Sequence, residues 1–470
     1  MSSAPLDRDV AIVGGGVVGA AIARELSRFE LRCTLLEAGP DVGAGTSKAN
    51  TAILHTGFDA KPGTLESRLV RRGAELLDSY ASQAGIPVER TGALLVAWNR
   101  AEAAELDGIV KRSHANGYRP IRRLGLDELR RVEPNLGPGA LEALEVPDEA
   151  IICPFTTTLA YATEAVAGGC ELRRGKPLTG VERLSDGGFR LRTASGGLTT
   201  RYLINAAGLH SDEVDRMLGH QRFTITPRRG ELIVFDKLAR PLLEHIILAV
   251  PTATTKGVLV APTVYGNVLL GPTAEDIESK RDTASTASGL AYLHGEGARI
   301  MPALVEHEVT AVYVGLRAAS EHADYQVHID RAAGYVCVGG IRSTGLTASM
   351  AIAEHVRDEL AAAGVPLEPV ASGAPARMPC IGEHFPRPYE EADRIAQDPE
   401  YGRIVCFCER VTSGEIRDTL ESPIPPADLD GLRRRTRVLM GRCQGFFCGA
   451  RVAAMLERAV PSPPPNGGSR

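Results

Sequence analysis

The sequence has few lysines, few aromatic residues and no long apolar run. Only seven of its 53 basic residues are lysine, tryptophan occurs once, and aromatic residues account for 5% of the chain. Acidic residues outnumber basic ones by 58 to 53, which leaves a net charge of −5 and no broad basic surface for nucleic acid. No stretch reaches the ~18 consecutive apolar residues of a membrane-spanning helix. The composition therefore argues against a nucleic-acid-binding protein and predicts no transmembrane segment.

Glycine, in contrast, is abundant, at 50 of 470 residues compared with an average of ~7%. Such an excess suits a protein whose backbone approaches ligands closely. The apolar segment 10–23 contains four glycines, and it follows Asp7 and Asp9 at the place where a secretion signal would carry positive charge. We therefore expect a cytoplasmic protein rather than a secreted one.

The pattern of apolar segments predicts a mixed α/β (α+β) protein. Residues 1–362 combine βαβ units with segments typical of antiparallel strands, and a chain of 470 residues is long enough for about three folding units. Residues 363–400 contain many prolines and little periodicity, so we expect a linker there. Residues 401–460 are predicted to form a small compact unit, and residues 461–470 a disordered tail rich in Pro, Gly and Ser.

A glycine-rich turn between a predicted strand and a predicted helix is the first sign of a ligand. Gly14 would permit the tight turn, Gly16 would let the backbone approach a pyrophosphate, and Gly19 would let the helix pack on the strand. The unpaired N–H groups at the start of the helix would then face phosphate. Glu37 ends the next strand 18 residues after Gly19, where it would bind an adenosine ribose and disfavour NADP. The pattern predicts a dinucleotide, either NAD or FAD.

Three later segments indicate which dinucleotide is bound. Residues 46–57, 203–208 and 340–345 resemble, in that order, the glycine/D-amino-acid-oxidase-like flavoprotein superfamily, and the match covers about residues 8–362. The resemblance implies FAD, with a helix over 347–362 whose N-terminus stabilises negative charge on the reduced flavin. The cofactor-binding residues that it implies are Gly14, Gly16, Val18, Gly19, Glu37, Thr46, Ser47, Asn50, Thr51, Ala207, Gly208, Gly315, Arg342, Gly345, Leu346 and Thr347.

The same resemblance implies two interleaved domains within residues 1–362. One is a Rossmann-like FAD-binding domain, and the other is an antiparallel-sheet substrate domain. The FAD-binding domain would comprise about residues 1–90, 147–222 and 311–362, and the substrate domain about residues 91–146 and 223–310.

Four of the nine cysteines, Cys406, Cys408, Cys443 and Cys448, lie within 43 residues of sequence. In a reducing compartment such a group indicates metal binding or redox chemistry rather than disulfides, and two close pairs can hold either zinc or iron. The flanking sequences resemble the bacterioferritin-associated-ferredoxin-like [2Fe–2S] domain over about residues 403–458. That resemblance implies a [2Fe–2S] cluster with these four cysteines as its ligands, and zinc is the alternative.

FAD and one cluster on a single chain indicate dehydrogenation, with a two-electron acceptor in series with a one-electron relay. The combination most resembles glycerol-3-phosphate dehydrogenases of the anaerobic flavin-subunit type. Relatives without the cluster include glycerol-3-phosphate oxidases and L-2-hydroxyglutarate dehydrogenases. The resemblance implies oxidation of a small anionic 2-hydroxy compound, with sn-glycerol 3-phosphate as the favoured substrate and dihydroxyacetone phosphate as the product. Hydride would pass to flavin N5, and electrons would leave through the cluster.

Five residues are candidates for the substrate site. His55 matches the histidine that stands over the flavin in this family, and an imidazole with an ordinary pKa of ~6.5 can act as a neutral base at pH 7. Arg317 matches the family's substrate-binding arginine, and its fork suits phosphate or carboxylate. Lys256 is a second candidate cation. Ser343 and Thr344 could hydrogen-bond to substrate or flavin.

Other arginines are less suited to a substrate site, and other functions are alternatives to this interpretation. We expect Arg228 and Arg229, and the arginines at 433–435, to lie in solvated turns. The alternatives are a dehydrogenase of L-2-hydroxyglutarate or of an amino or imino acid, an electron-transfer subunit of a larger oxidoreductase complex, and a zinc-containing nucleotide-binding regulator. The expected partners are a small anionic substrate and an electron-acceptor protein or a quinone-linked subunit. Peripheral association with the inner face of the cell membrane is compatible with the sequence.

Overall fold

The structure of the protein is a computed structural model that describes residues 6–185, 187–251, 257–371, 373–379, 381–383 and 386–459. The chain divides into two compact units, Met1–Met378 and Pro379–Arg470. This division falls inside the segment 363–400 that the sequence predicts as a linker. Among the described residues, no helix combines the length and the apolarity that crossing a bilayer requires.

The described part of the first unit contains twenty strands and eight α-helices. The strands are β1 (Arg8–Val13), β2 (Cys33–Leu36), β3 (Ile53–Leu54), β4 (Val88–Glu89), β5 (Ala93–Ala97), β6 (Arg122–Leu124), β7 (Glu142–Val146), β8 (Ala150–Ile152), β9 (Glu171–Arg173), β10 (Leu178–Arg183), β11 (Phe189–Thr193), β12 (Gly196–Asn205), β13 (Ile225–Phe235), β14 (Ile246–Ala249), β15 (Leu259–Pro262), β16 (Val268–Gly271), β17 (Glu275–Asp276), β18 (Val309–Ser320), β19 (Gln326–Asp330) and β20 (Tyr335–Gly339). The helices are α1 (Val17–Leu26), α2 (Leu65–Ala84), α3 (Arg100–Ala115), α4 (Leu126–Val132), α5 (Pro154–Ala167), α6 (Ser211–Met217), α7 (Ala287–Ile300) and α8 (Gly345–Ala362).

The first sheet has eight strands, and its centre is parallel. Its main order is β10-β11-β12-β1-β2-β9, and β20 pairs with β12 and with β19. Val13 at the end of β1 lies opposite both Leu36 of β2 and Asn205 of β12. The carboxyl ends of these parallel strands therefore meet at one edge, which is where ligands bind in such sheets. The segments that follow the strands, 14–16, 37–39 and 206–208, are gathered at that edge.

The second sheet has nine strands and is mainly antiparallel. Its main order is β17-β13-β16-β15-β14-β5-β7-β6, and β18 pairs with β13. In that pair Arg228 lies opposite Arg317 and Gly230 lies opposite Gly315. The predicted fold class, a Rossmann-like sheet combined with an antiparallel sheet, is confirmed. The predicted turn at Arg228 and Arg229 is wrong, because both residues lie inside β13.

The second unit is small and has its own core. Its elements are β21 (Ile404–Cys406), β22 (Val411–Thr412), α9 (Ala392–Gln397), α10 (Ser413–Leu420), α11 (Leu429–Thr436) and α12 (Gly449–Ala459). Buried apolar side chains such as Val405, Ile416 and Leu432 form the core. Pro388 and Pro399 belong to the proline-rich segment that is predicted to be a linker. They occupy the first turns of short 3-10 helices, a position where proline costs no hydrogen bond.

The arginines of α11 differ from the sequence-based expectation. Arg434 and Arg435 are 5% and 3% exposed rather than solvated. Arg434 pairs with Asp430, and Arg435 Nη1 donates a hydrogen bond to the carbonyl of Gly431 at 2.9 Å. Buried guanidinium groups require such partners, and the sequence pattern alone does not reveal them.

Candidate functional site

A cavity in the first unit is lined by residues of both sheets. It lies at the carboxyl edge of β1 and receives residues from β13, β14 and β18. Most of the residues predicted from the sequence line it, namely Gly16, Val18, Thr46, Ser47, Asn50, Thr51, His55, Gly208, Gly315, Arg317, Arg342, Ser343, Gly345 and Leu346. The fold therefore brings together segments that are separated by up to 330 positions in the sequence.

The glycines of the turn after β1 form a cradle open to this cavity. Gly14 has φ +110°, and a Cβ there would lie 2.3 Å from the carbonyl oxygen of Ala206. A Cβ on Gly19 would lie 1.8 Å from the carbonyl oxygen of Gly14, so the close packing of helix on strand requires glycine. Gly16 lines the cavity, and a Cβ there would lie 3.2 Å from Ser47 Oγ. This cradle fits the pyrophosphate of FAD at the start of α1.

Glu37 and Ser47 support the turn from two sides. Glu37 accepts hydrogen bonds from the N–H of Gly15 at 2.7 Å and from the N–H of Gly39 at 2.6 Å. Burial of its carboxyl group raises the pKa of Glu37. Ser47 Oγ accepts a hydrogen bond from the N–H of Val17 at 2.9 Å. Glu37 thus holds the backbone of the turn in place, and its contact with ribose stays a prediction.

The N-terminus of α8 also faces the cavity. Gly345 and Leu346 line it, and α8 carries no acidic residue in its first turn, so its positive end is free to stabilise negative charge. Thr347 is fully buried. Its Oγ1 accepts a hydrogen bond from the N–H of His55 at 3.0 Å and donates to the carbonyl of Ile53 at 3.3 Å. In the structure Thr347 therefore holds the segment that carries His55.

His55 has an acidic neighbour that the sequence did not reveal. Its Nδ1 lies 3.1 Å from Oε2 of Glu149, and the side chain of Glu149 is fully buried. Oε1 of the same carboxylate accepts hydrogen bonds from the N–H and the Oγ1 of Thr56, at 2.8 and 3.0 Å. Glu149 follows Asp148 in the connection between β7 and β8, where an acidic residue is usually solvated, so no sequence pattern marks it as functional.

Arg317 is a partly buried cation in the cavity wall. Burial lowers its pKa to about 10, and the neighbouring Arg228 acts in the same direction while Asp276 opposes it. Its Nη2 donates a hydrogen bond to the carbonyl of Thr273 at 3.0 Å. Within the described residues, no carboxylate lies within ion-pair distance of its guanidinium. Arg228, by contrast, is paired with Asp276 at 2.6 Å. Arg317 is thus positioned to bind an anion in the cavity.

The remaining candidates for the substrate site differ in their placement. Lys256 lies outside the described residues. Ser343 and Arg342 line the cavity. Thr344 does not line the cavity. Its hydroxyl hydrogen-bonds to Tyr325 OH at 2.5 Å and donates to Glu66 Oε1 at 2.8 Å. Of the two predicted hydroxyls, the structure therefore places only that of Ser343 at the cavity.

The four clustered cysteines of the second unit interact as two pairs. The thiol of Cys408 contacts that of Cys443, and the thiol of Cys448 contacts that of Cys406. Two pairs fit a two-iron cluster, in which each iron takes two thiolates, better than one tetrahedral zinc ion.

The backbone around Cys443 favours a thiolate. Hydrogen bonds from the N–H groups of Phe447, Gly445 and Phe446 lower the pKa of Cys443. Such N–H···S bonds stabilise the negative charge of sulfur ligands in iron–sulfur sites. The donor set therefore fits a [2Fe–2S] cluster.

Comparison with known proteins agrees with both sites. The family model described as FAD dependent oxidoreductase matches residues 9–359, and the BFD-like [2Fe-2S] binding domain matches residues 404–458. The chain is 34% identical to a glycerol 3-phosphate dehydrogenase of Caloramator mitchellensis over 96% of this chain and 94% of that protein. It is 31% identical to a glycerol 3-phosphate oxidase of Mycoplasma pneumoniae over 73% and 92% of the two chains.

A solved structure extends the similarity to three dimensions. The dithionite-reduced L-α-glycerophosphate oxidase from Mycoplasma pneumoniae, with FAD bound, superposes with a TM-score of 0.74 at 28% identity, covering 79% of this chain and 98% of that one. The predicted resemblances and the predicted cofactors, FAD and a [2Fe–2S] cluster, are confirmed. The chain belongs to the FAD-dependent oxidoreductase family and carries a BFD-like [2Fe–2S] binding domain at its C-terminal end.

Proposed function

We propose that the protein is an FAD-dependent dehydrogenase that oxidises sn-glycerol 3-phosphate to dihydroxyacetone phosphate. The observation that carries the proposal is a partly buried guanidinium, that of Arg317, in the same cavity as His55. A cation withdrawn from water without an ion-pair partner among the described residues favours an anionic ligand. The glycerol 3-phosphate dehydrogenase that matches nearly the whole chain supports phosphate rather than carboxylate.

The chain's own residues then have distinct tasks. His55 uses one ring nitrogen to contact Glu149, which leaves the other to take the proton of the substrate hydroxyl. Arg317 holds the phosphate group and so orients the carbon that is oxidised. FAD, when bound, supplies the hydride acceptor, and the [2Fe–2S] cluster supplies a one-electron relay. Gly16, Ser47 and the start of α8 would hold FAD.

Three predicted assignments stay proposals. Lys256 is proposed as a second contact to the phosphate, on the sequence alone. Ser343 is proposed to hydrogen-bond to substrate or flavin, since it lines the cavity. The division of residues 1–362 into FAD-binding and substrate segments is proposed from the two sheets, because the cradle for FAD belongs to the first sheet and Arg317 to the second.

The direct test is an anaerobic visible spectrum of the purified protein before and after addition of glycerol 3-phosphate. We expect the flavin band to bleach, and we expect L-2-hydroxyglutarate and hydroxyproline to leave it unchanged at the same concentration. A His55→Gln variant should retain FAD but bleach at least ~100-fold more slowly. Bleaching by a carboxylic acid in place of glycerol 3-phosphate would overturn the substrate assignment. A spectrum unchanged by any of them would favour an electron-transfer subunit.

We propose further that electrons leave through the cluster to a partner, either an electron-acceptor protein or a quinone-linked subunit at the inner face of the cell membrane. Phe407, Phe446 and Phe447 adjoin the cluster cysteines in sequence and are 63%, 96% and 69% exposed. Exposed apolar groups of this kind suit a protein contact.

A double variant, Phe446→Ser with Phe447→Ser, tests this contact. It should leave the bleaching of flavin and the reduction of ferricyanide unchanged, while the reduction of quinone by membranes from the source organism falls at least several-fold. Equal quinone reduction by the variant and by the unaltered protein would refute a role for these side chains.

A further inference from the structure

The carboxylate of Glu149 makes three hydrogen bonds to the segment that carries His55. Its Oε1 accepts from the N–H of Thr56 at 2.8 Å and from Thr56 Oγ1 at 3.0 Å, and its Oε2 lies 3.1 Å from His55 Nδ1. The side chain of Glu149 is fully buried, whereas that of His55 is 20% exposed. Two donors of Thr56 point to one oxygen of this carboxylate, and an ionised carboxylate can only accept hydrogen bonds.

We infer that Glu149 is a positioning residue that fixes the tautomer of His55, and this inference rests on the proposed function. Because the carboxylate only accepts, the hydrogen of the neutral imidazole must lie on Nδ1. Nε2 then carries the lone pair, and it is the nitrogen left to accept a proton in the cavity. Carboxylate–histidine pairs fix the reactive nitrogen in this way in other enzymes.

The backbone of His55 is fixed as well. Its N–H donates to Thr347 Oγ1 in the first turn of α8, at 3.0 Å, and Thr347 Oγ1 donates to the carbonyl of Ile53. The imidazole is thereby held between the connection after β7 and the start of α8. Exchange of the two ring nitrogens by rotation would break the bond to Glu149, so the tautomer and the orientation are set together.

A change of Glu149 to glutamine would reverse the tautomer without changing the shape of the side chain. Thr56 presents two donors, its N–H and its hydroxyl, to the same oxygen. The amide oxygen of the glutamine must therefore occupy that place, and its NH2 group must face His55 Nδ1. The NH2 group donates, so the imidazole hydrogen would move to Nε2, where it blocks proton acceptance.

The chain contains a matched pair outside the cavity. Glu133 is fully buried, and its Oε1 lies 2.9 Å from Nδ1 of His245, whose side chain is 20% exposed. The exposed fractions equal those of His55 and Glu149, and the contact is 0.2 Å shorter, but neither residue of the second pair lines the cavity. Glu133→Gln is therefore the control for the cost of burying an amide in place of a carboxylate.

The test compares Glu149→Gln, Glu133→Gln and the unaltered FAD-loaded protein. We expect Glu149→Gln to lower the rate of anaerobic flavin reduction by glycerol 3-phosphate by about 10²- to 10⁴-fold, since exchange of the carboxylate for an amide lowers kcat by ~10⁴-fold in a serine-protease triad. KM should change less than about threefold. Glu133→Gln should change neither rate nor KM by more than about threefold. A similar loss of rate in both variants, or a Glu149→Gln rate within threefold of normal, would overturn the inference.

A second readout does not depend on turnover. Ring-¹⁵N-labelled histidine, with the His55 signals assigned by their loss in His55→Gln, reports which nitrogen carries hydrogen. We expect the hydrogen on Nδ1 in the unaltered protein and on Nε2 in Glu149→Gln. A His55 that carries hydrogen on Nε2 in the unaltered protein refutes the inference, even where the variant fails to fold. Absence of any reaction with glycerol 3-phosphate would refute the proposed substrate and leave this readout intact.

Discussion

Replacement of Arg317 by methionine should stabilise the substrate-free protein and at the same time weaken substrate binding. Burial and the neighbouring Arg228 lower the pKa of Arg317 to about 10, compared with an ordinary value of ~12.5. A pKa difference of one corresponds to ~1.4 kcal/mol, so a charged Arg317 costs the folded state about 3 kcal/mol. Because folding lowers the pKa of a cation, this cost is fully present below pH ~10 and is relieved only above that pH.

The variant loses one hydrogen bond as well as the charge. The bond from Arg317 Nη2 to the carbonyl of Thr273 is worth ~1 kcal/mol, so we expect a net gain of about 2 kcal/mol in the free energy of unfolding. For a unit of this size that gain corresponds to a Tm higher by roughly 2–4 °C. Loss of one partner of a buried charge pair costs ~2–5 kcal/mol in binding, which predicts a KM for glycerol 3-phosphate higher by about 30- to 5,000-fold.

The assay is thermal unfolding of the FAD-loaded variant with and without glycerol 3-phosphate, together with steady-state kinetics. Added substrate should raise the Tm of the unaltered protein but not that of Arg317→Met. Arg228→Met is the control, because Arg228 lies opposite Arg317 in the sheet yet is paired with Asp276, and its KM should stay within about threefold. A lower Tm with an unchanged KM for Arg317→Met would show that Arg317 is structural and would refute the reasoning.

Three further substitutions test the geometry of the two sites. Gly230→Ala would place a Cβ 3.0 Å from Nη2 of Arg317, and displacement of the guanidinium should raise the KM for glycerol 3-phosphate about tenfold with little loss of FAD. An unchanged KM would contradict this. Gly19→Ala would place a Cβ 1.8 Å from the carbonyl oxygen of Gly14, so the purified protein should contain less than about a tenth of the normal FAD. A normal flavin content would refute the close packing of α1 on β1. Cys443→Ser should lose most of the cluster iron while glycerol 3-phosphate still bleaches the flavin, whereas bound zinc in the unaltered protein would overturn the cluster assignment.

The parts of the site that the sequence revealed are those in which the physical constraint is local. Gly14 and Gly19 are required by contacts within one strand–turn–helix unit, so their spacing is visible in six residues. Cys406 and Cys408, like Cys443 and Cys448, lie close enough in sequence to be recognised as pairs. Helix α8 begins at Gly345, two residues before the start that the sequence predicts, because helix ends depend on contacts that periodicity does not report.

The parts that the sequence did not reveal depend on contacts between distant segments. Glu149 reaches His55 across 94 positions, and nothing in its own segment distinguishes it from a solvated acid in a turn. The burial of Arg229 has the same origin, since its environment is set by neighbouring strands. Arg229, predicted to lie in a solvated turn, is 8% exposed in β13, where Glu275 of the adjacent strand pairs with it at 2.7 Å.

The anion site and the FAD site are linked through strand β18. A Cβ on Gly315 would lie 2.1 Å from the carbonyl oxygen of Ala49, so β18 can lie against the segment 46–51 only because residue 315 is glycine. Alternate residues of a strand point to the same face, so Arg317, two positions after Gly315, points into the cavity. A shift of β18 by one residue would place Leu316 there instead. The backbone contact that shapes the cofactor site thus also sets where the substrate's negative charge is bound. In the proposed complex FAD would be held largely by backbone and glycine contacts, and the substrate anion by side chains such as Arg317, so exchanging those side chains should change the substrate without loss of the cofactor.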